Sequence, residues 1–174
     1  MEDLKALIRD VPDFPKKGIL FKDITTLLRE PAAFRRAVDG IAAWGKSLQP
    51  DLVACVEARG LLVGAPVAYA IGAGVVPVRK PGKLPAKSIR EEYALEYGTD
   101  ALEIHEGAIV RGQGVLVVDD LLATGGTAAA TGRLVTRSGG RLLGYAFLVE
   151  LEFLKGRGKL AGTPIFSLLT YAEE

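Results

Sequence analysis

The chain has 174 residues, 49% of them hydrophobic and 25% charged, enough to bury a real core but short for two full domains. Its net charge of +1 supplies no global field for a nucleic acid or a membrane surface, so neither is expected as a partner. No segment reads as a signal peptide or a bilayer span, and a single cysteine excludes an intramolecular disulfide, which points to the cytoplasm.

Residues 2–9 read as a short helix and 11–18 as a turn-rich linker. Residues 18–28 follow as a small segment carrying Leu20, Phe21 and Lys22. Phe21 can stack on a flat heterocycle while the backbone of Leu20 and Lys22 bonds its edge, although core packing is the simpler reading of these residues alone. The helix over 31–48 opens on Pro31, and Phe34, Val38, Ile41 and Trp44 recur near helical spacing, which makes Trp44 a packing residue. A buried strand over 52–56 encloses Cys55, read as an inert core thiol. Glu57, Ala58, Arg59 and Gly60 come next, before a helix rich in small residues over 61–71. Arg59 offers a planar fork of donors and Gly60 lets the backbone approach an anion; a surface arginine on a turn is the plainer alternative.

After a strand over 75–79, three cations (Arg79, Lys80 and Lys83) gather among prolines, either as a local anion site or as a solvated basic turn. Between residues 80 and 110 the pattern alternates polar with apolar around Gly98, as in an antiparallel hairpin. It is expected to be a mobile lid beside the sheet, since the charged 87–92 segment has little apolar content to hold it; a static edge ribbon is the alternative. His105, the lone histidine, lies beyond the bend and reads as a surface residue. A strand from Val115, a helix over 127–138, a strand over 142–150 and a closing strand over 164–169 complete a strand-helix-strand order. The expected architecture is α/β, a mainly parallel sheet with helices on both faces.

The stretch 115–127, Val-Leu-Val-Val-Asp-Asp-Leu-Leu-Ala-Thr-Gly-Gly-Thr, carries the most chemical information. A doubly covered strand leads into a small, glycine-rich turn and a helix start, whose unpaired N–H groups suit a phosphate. Gly125 and Gly126 permit close approach, and Thr124 and Thr127 add hydroxyl donors. Asp119 and Asp120, adjacent acceptors at the strand's carboxyl end, suit a cis-diol such as ribose hydroxyls, directly or through a metal-bound water. No Walker loop competes, because no Gly-Lys-Ser/Thr follows a spaced glycine.

This string resembles the phosphoribosyl pyrophosphate signature of the type I phosphoribosyltransferases, in the form carried by their adenine-using members. The resemblance runs over nearly the whole chain and implies that family's fold, with one domain over 1–174, a base-binding cap over 1–30 and a flexible hairpin over 80–110. The implied reaction joins adenine to phosphoribosyl pyrophosphate, giving AMP and pyrophosphate in purine salvage. By the same resemblance, Ala123, Thr124, Gly125, Gly126 and Thr127 hold the 5-phosphate, with Asp119 and Asp120 at the ribose. Glu57, Ala58, Arg59, Gly60, Arg79, Lys80 and Lys83 surround the pyrophosphate. Leu20, Phe21, Lys22 and Leu151 form the base pocket; Lys22 stands where many relatives carry arginine, which leaves backbone contacts intact. Glu96 is placed beside the base as general base or base-edge acceptor, with Arg59 the second catalytic residue and Tyr97 on the lid. Mg²⁺ is implied, held mainly by the substrate, with no direct protein ligand and with Asp119 and Asp120 reached through water. A homodimer is implied because an arginine at the place of Arg79 can reach across the family's dimer interface. Two alternatives stay open at this level: a phosphoribosyltransferase for another base, and a regulator that binds the sugar pyrophosphate without turnover.

Overall fold

The structure, a computed structural model, describes residues 1–94 and 98–173. Along the chain it runs α1 (Glu2–Lys5), β1 (Arg9–Pro12), β2 (Leu20–Asp23), α2 (Thr25–Leu28), α3 (Pro31–Ser47), β3 (Leu52–Val56) and α4 (Arg59–Ile71). There follow β4 (Gly74–Val78), β5 (Ser88–Ala94), β6 (Thr99–His105), β7 (Gly114–Leu122), α5 (Gly126–Arg137), β8 (Arg141–Leu151) and β9 (Ile165–Tyr171). Two 3₁₀ turns, Glu152–Leu154 and Gly156–Leu160, join β8 to β9.

Five strands form one parallel sheet in the order β4-β3-β7-β8-β9. Their side chains alternate between two cores. Val53, Cys55, Leu116 and Val118 join α3 and α4 on one face, while Ala54, Val56, Val115 and Val117 join α5 on the other. Burial on both faces is why these strands read as unbroken apolar runs. Trp44 lies against Phe166 with ring centroids 5.4 Å apart, the packing role its spacing suggested. Cys55 is fully buried, and burial first, then the nearby Asp119 charge, pushes its thiol pKa up to about 12.

Two expectations need correction. The first helix ends at Lys5, and Arg9 through Pro12 pair with β2 instead, with Val11 opposite Phe21. The aspartates lie inside β7, which runs on to Leu122.

The described arms of the expected hairpin dock on α5. Glu91 takes Arg133 Nε at 2.6 Å and Arg137 Nη1 at 2.5 Å, and Tyr93, Leu102 and Ile104 are buried beneath. The charged 87–92 segment is thus anchored by ion pairs where sequence showed only a lack of apolar residues. His105 is half-buried at the end of β6, with its Nε2 enclosed and without a partner among the described residues.

Candidate active site

Strand β3 leads through α4 to β4 on one side, and β7 leads through α5 to β8 on the other, so the chain parts between the carboxyl ends of β3 and β7. Ligands of open parallel sheets bind at such a parting. A cavity of about 380 Å³ opens there, lined by the 57–59 and 119–128 segments with Lys80 and Tyr93. Four separate parts of the chain therefore converge on one space.

Asp119 and Asp120 both face this cavity, although only 8% and 6% exposed. Asp119 Oδ1 accepts the Asp120 N–H at 2.9 Å. Arg59 Nε stands 2.8 Å from Asp120 Oδ2, yet among the described residues no donor meets that oxygen in hydrogen-bonding alignment. Burial, reinforced at Asp119 by the neighbouring Asp120 charge, raises both carboxyls above their ordinary range, and Arg59 offsets this only in part. The pair is an under-satisfied acceptor at the mouth of a pocket. It is suited to hydroxyl donors or a hydrated cation.

Gly60 is required beside it, since a Cβ there would lie 2.4 Å from Asp119 Oδ1. The approach that sequence assigned to an anionic ligand is made here by the protein's own carboxylate. The Glu57–Ala58 peptide just before it is cis.

The segment Ala123 to Thr127 turns from β7 into α5, with Gly125 left-handed at φ 78° as the N-cap residue. The opening N–H groups of α5 lack intrahelical partners and, with the helix dipole, favour an anion in the cavity. Thr127 Oγ1 donates to Tyr93 Oη at 3.3 Å, and Tyr93 donates to Asp100 Oδ2 at 3.2 Å. Asp100 also takes the Lys80 ammonium, holding that cation at the opposite wall. Tyr93 and Asp100 were missed from sequence because the alternation of a ribbon marks its faces, not what each face touches.

The remaining predicted anion contacts divide. Lys80 lines the cavity, whereas Arg79 and Lys83 stand outside its lining. Glu57 grips Arg79 through Nε at 2.9 Å and Nη2 at 2.8 Å, and accepts the Lys80 N–H at 2.6 Å. Arg79 Nη1 donates to the Lys83 carbonyl at 3.0 Å. Burial opposes the charge on Glu57, but these donors outweigh it and hold its carboxyl below the ordinary value. The Glu57 side chain thus ties the 57–60 and 79–83 loops together.

A second, mainly apolar hollow of about 340 Å³ lies next door, lined by Val11, Phe14, Phe21, Asp23, Thr25 and Arg59. Arg59 belongs to both hollows, its guanidinium 4.7 Å from the centre of the Phe21 ring. Phe14 meets Phe21 edge-on at 5.0 Å and is 50% exposed, so an aromatic wall is left open. Its only trace in the sequence was a phenylalanine between prolines in an apparent linker.

Pro12 faces Leu20 in the β1–β2 ribbon and has no N–H, so that pair cannot exchange two hydrogen bonds. By the alternation of antiparallel ladders, the backbone of Leu20 and Lys22 turns to the ribbon's open edge. The Lys22 side chain goes elsewhere, to Asp10 Oδ1 at 2.7 Å and over the Tyr171 ring at 4.5 Å. Leu151 is buried at the end of β8 within the α3–α4 core and lines neither hollow. Glu96 and Tyr97 lie outside the described residues.

Comparison with known proteins identifies the family. The phosphoribosyl transferase domain family matches residues 24–161. An adenine phosphoribosyltransferase of Anaeromyxobacter dehalogenans is 58% identical over 171 residues, covering 98% of this chain and 99% of its own. Among solved structures, the adenine phosphoribosyltransferase of Thermoanaerobacter pseudethanolicus superposes with a TM-score of 0.96 at 54% identity, covering 98% of this chain and 99% of that one. The Saccharomyces cerevisiae enzyme, solved with adenine and an iminoaltritol bisphosphate, gives 0.91 at 42% identity, with 97% of each chain covered. Fold, cavity and relatives converge: the chain belongs to the phosphoribosyltransferase family, among its adenine phosphoribosyltransferases.

Proposed function

We propose that the cavity between β3 and β7 receives phosphoribosyl pyrophosphate and the hollow under Phe21 receives adenine, with Arg59 between them. The reaction of an adenine phosphoribosyltransferase joins these substrates into AMP and pyrophosphate. The observation that carries the assignment is the buried, under-satisfied Asp119–Asp120 pair beside the opening of α5. A ribose diol and a phosphate on one sugar match these two features at once.

In this reading the 123–127 loop holds the phosphate that does not react and uses its binding energy to position the ribose. Asp119 and Asp120 accept from the ribose hydroxyls. The backbone of Ala58, with Arg59 and Lys80, takes the pyrophosphate, while Glu57, Arg79 and Lys83 frame it and Gly60 leaves room for Asp119. As the bond to the anomeric carbon breaks, negative charge grows on the departing oxygens and Arg59 and Lys80 stabilise it. Adenine stacks on Phe21, displacing the guanidinium toward the pyrophosphate, and the open backbone edge of Leu20 and Lys22 reads its amine and ring nitrogen. Leu151 acts from the core behind the pocket, since it lines neither hollow. Glu96 takes the ring proton, Tyr97 follows it in sequence, and the 80–110 hairpin acts as lid.

The donor set fits a hydrated Mg²⁺: two adjacent carboxylates with spare acceptor capacity, reached through water. When bound, the ion adds positive charge to the pyrophosphate. We further place residues 1–174 in one domain whose first thirty residues cap the base, and the protein in the cytoplasm, a compartment suited to its buried free thiol. Two copies pair through the exposed apolar side of α4 and β4, where Leu62 is 52%, Val75 44% and Tyr69 90% exposed at the sheet edge. A dimer mass in light scattering, lost on Leu62→Glu with Tyr69→Glu, checks that pairing.

Purified protein assayed with phosphoribosyl pyrophosphate, Mg²⁺ and each purine in turn tests the whole reading. Adenine should turn over, with hypoxanthine and guanine disfavoured by roughly ten-thousandfold, because they present a carbonyl and a ring N–H to a backbone edge built for the reverse. Comparable efficiency with hypoxanthine would overturn the backbone readout and leave the sugar site standing.

A further inference from the structure

The turn after β8 touches the phosphate loop in a way that the reaction does not require of it. Gly156 is buried with its backbone packed directly on the loop. A Cβ at Gly156 would stand 2.2 Å from the Ala123 carbonyl oxygen and 3.1 Å from the Gly125 nitrogen, and a Cβ at Gly125 would stand 2.4 Å from the Gly156 oxygen. Two backbones lie against each other with room for no side chain between them. Contact this close transmits any displacement of one segment to the other.

The 156–160 turn is itself held hard. Arg157 lays its guanidinium side-on to Glu150, Nε to Oε1 and Nη2 to Oε2, both at 2.7 Å. Ser167 of β9 donates to the same Oε2 at 2.5 Å. Glu150 is only 2% exposed, and it pairs across the sheet with Leu122, the last residue of β7 before the loop. Leu160, 3% exposed, pins the other end of the turn in the α5 core. Burial disfavours the ionised form of Glu150, but Arg157 and Ser167 outweigh it and hold its carboxyl below the ordinary value.

We propose that Glu150, Arg157 and Gly156 form a buttress that fixes the Ala123–Gly125 backbone in the shape that receives the substrate's 5-phosphate. They are positioning residues, since the anion would meet the loop and none of the three. The chain of contact runs from the Glu150 carboxylate to Arg157, from there to the neighbouring Gly156 backbone, and across to the phosphate loop. This rests on the reading of 123–127 as the phosphate site.

Steady-state kinetics of Gly156→Ala, Arg157→Ala and Arg157→Lys, with calorimetric titration of ribose 5-phosphate and a thermal melt of each, test the buttress. Gly156→Ala and Arg157→Ala should raise the KM for phosphoribosyl pyrophosphate and weaken ribose 5-phosphate by about tenfold or more, with the adenine KM changed by less than about twofold. Arg157→Lys should fall between Arg157→Ala and the parent, because an ammonium keeps the charge and loses the two-point geometry. If Gly156→Ala does not fold, isosteric Glu150→Gln carries the test, with the same split in KM. Gly125→Val serves as the control for the underlying assignment: if it binds ribose 5-phosphate like the parent, the loop is not the phosphate site. Loss in Gly125→Val together with parental binding in the folded buttress variants, or an equal rise in both KM values, overturns the buttress alone.

Discussion

The ends of β7 and β8, neighbours in one sheet, each bury carboxylate, and they treat it in opposite ways. Glu150 meets Arg157 and Ser167 in close hydrogen bonds, and its carboxyl is held below its ordinary value. Asp119 and Asp120 have one poorly aligned arginine between them, and their carboxyls are raised. A satisfied buried charge holds structure, whereas an unsatisfied one costs stability until a ligand completes it. The contrast separates a scaffold from a candidate site on neighbouring strands of one sheet.

The comparison is broken most severely by Asp119→Asn with Asp120→Asn. Each lost charge-assisted bond is worth about 1.5–3 kcal/mol, so affinity for phosphoribosyl pyrophosphate with Mg²⁺ should fall about a hundredfold or more. The melting temperature of the free protein should hold or rise. Parental affinity in calorimetric titration would remove the ribose assignment, and a large loss of stability would place this pair with Glu150 as scaffold.

At β8, which partner is removed should matter. Arg157→Ala leaves a carboxylate 3% exposed without its cation, whereas Glu150→Gln leaves an arginine that is already 47% exposed. Discounted for that exposure, we expect about 2–3 kcal/mol of lost stability for the first and about 1 kcal/mol for the second in denaturant unfolding. Equal losses would show that the pair acts as a surface contact.

Acid sharpens the contrast further, because the signs differ. The folded pKa of Glu150 is depressed, so its contribution is complete above the ordinary value of 4.5 and fades as pH falls through the folded value. The folded pKa of Asp119 is raised, so its penalty is absent below 3.8 and grows as pH rises toward the folded value. Near neutrality Glu150→Gln should destabilise and Asp119→Asn stabilise; in acid both differences should shrink toward zero. Unfolding curves at the two pH values check both signs in one experiment.

The smallest effect belongs to Cys55, whose thiol is pushed up to about 12 mainly by burial and secondarily by Asp119. A thiol reagent should leave the native protein unmodified and react once it unfolds. Asp119→Asn removes only the lesser cause, so native Cys55 should stay unreactive. Rapid labelling of the native variant would mean that the floor of the site had opened.

Local rules carried much of the fold into view. The helix opening at Pro31, the β3 strand with Cys55 and the change of period at the hairpin were legible because capping, burial and pleat each act over a few residues. Residues 2–9 misled for the same reason: a helical pattern was present, but the helix stops at Lys5 and Arg9 already pairs with Asp23 in the β1–β2 ribbon. The carboxylate pair and glycine turn were legible because one contiguous stretch supplies both.

By itself, then, the sequence determined the alternation of strands and helices, the doubly buried sheet and the glycine turn after the carboxylate pair, all set by neighbours along the chain. Only the tertiary structure decided that Arg59 stands between Asp120 and Phe21, that Glu57 spends its charge on Arg79, and that Gly156 backs Gly125. Those partners lie far apart in the chain, and side-chain pairing depends on distance and burial in space, which no local period encodes.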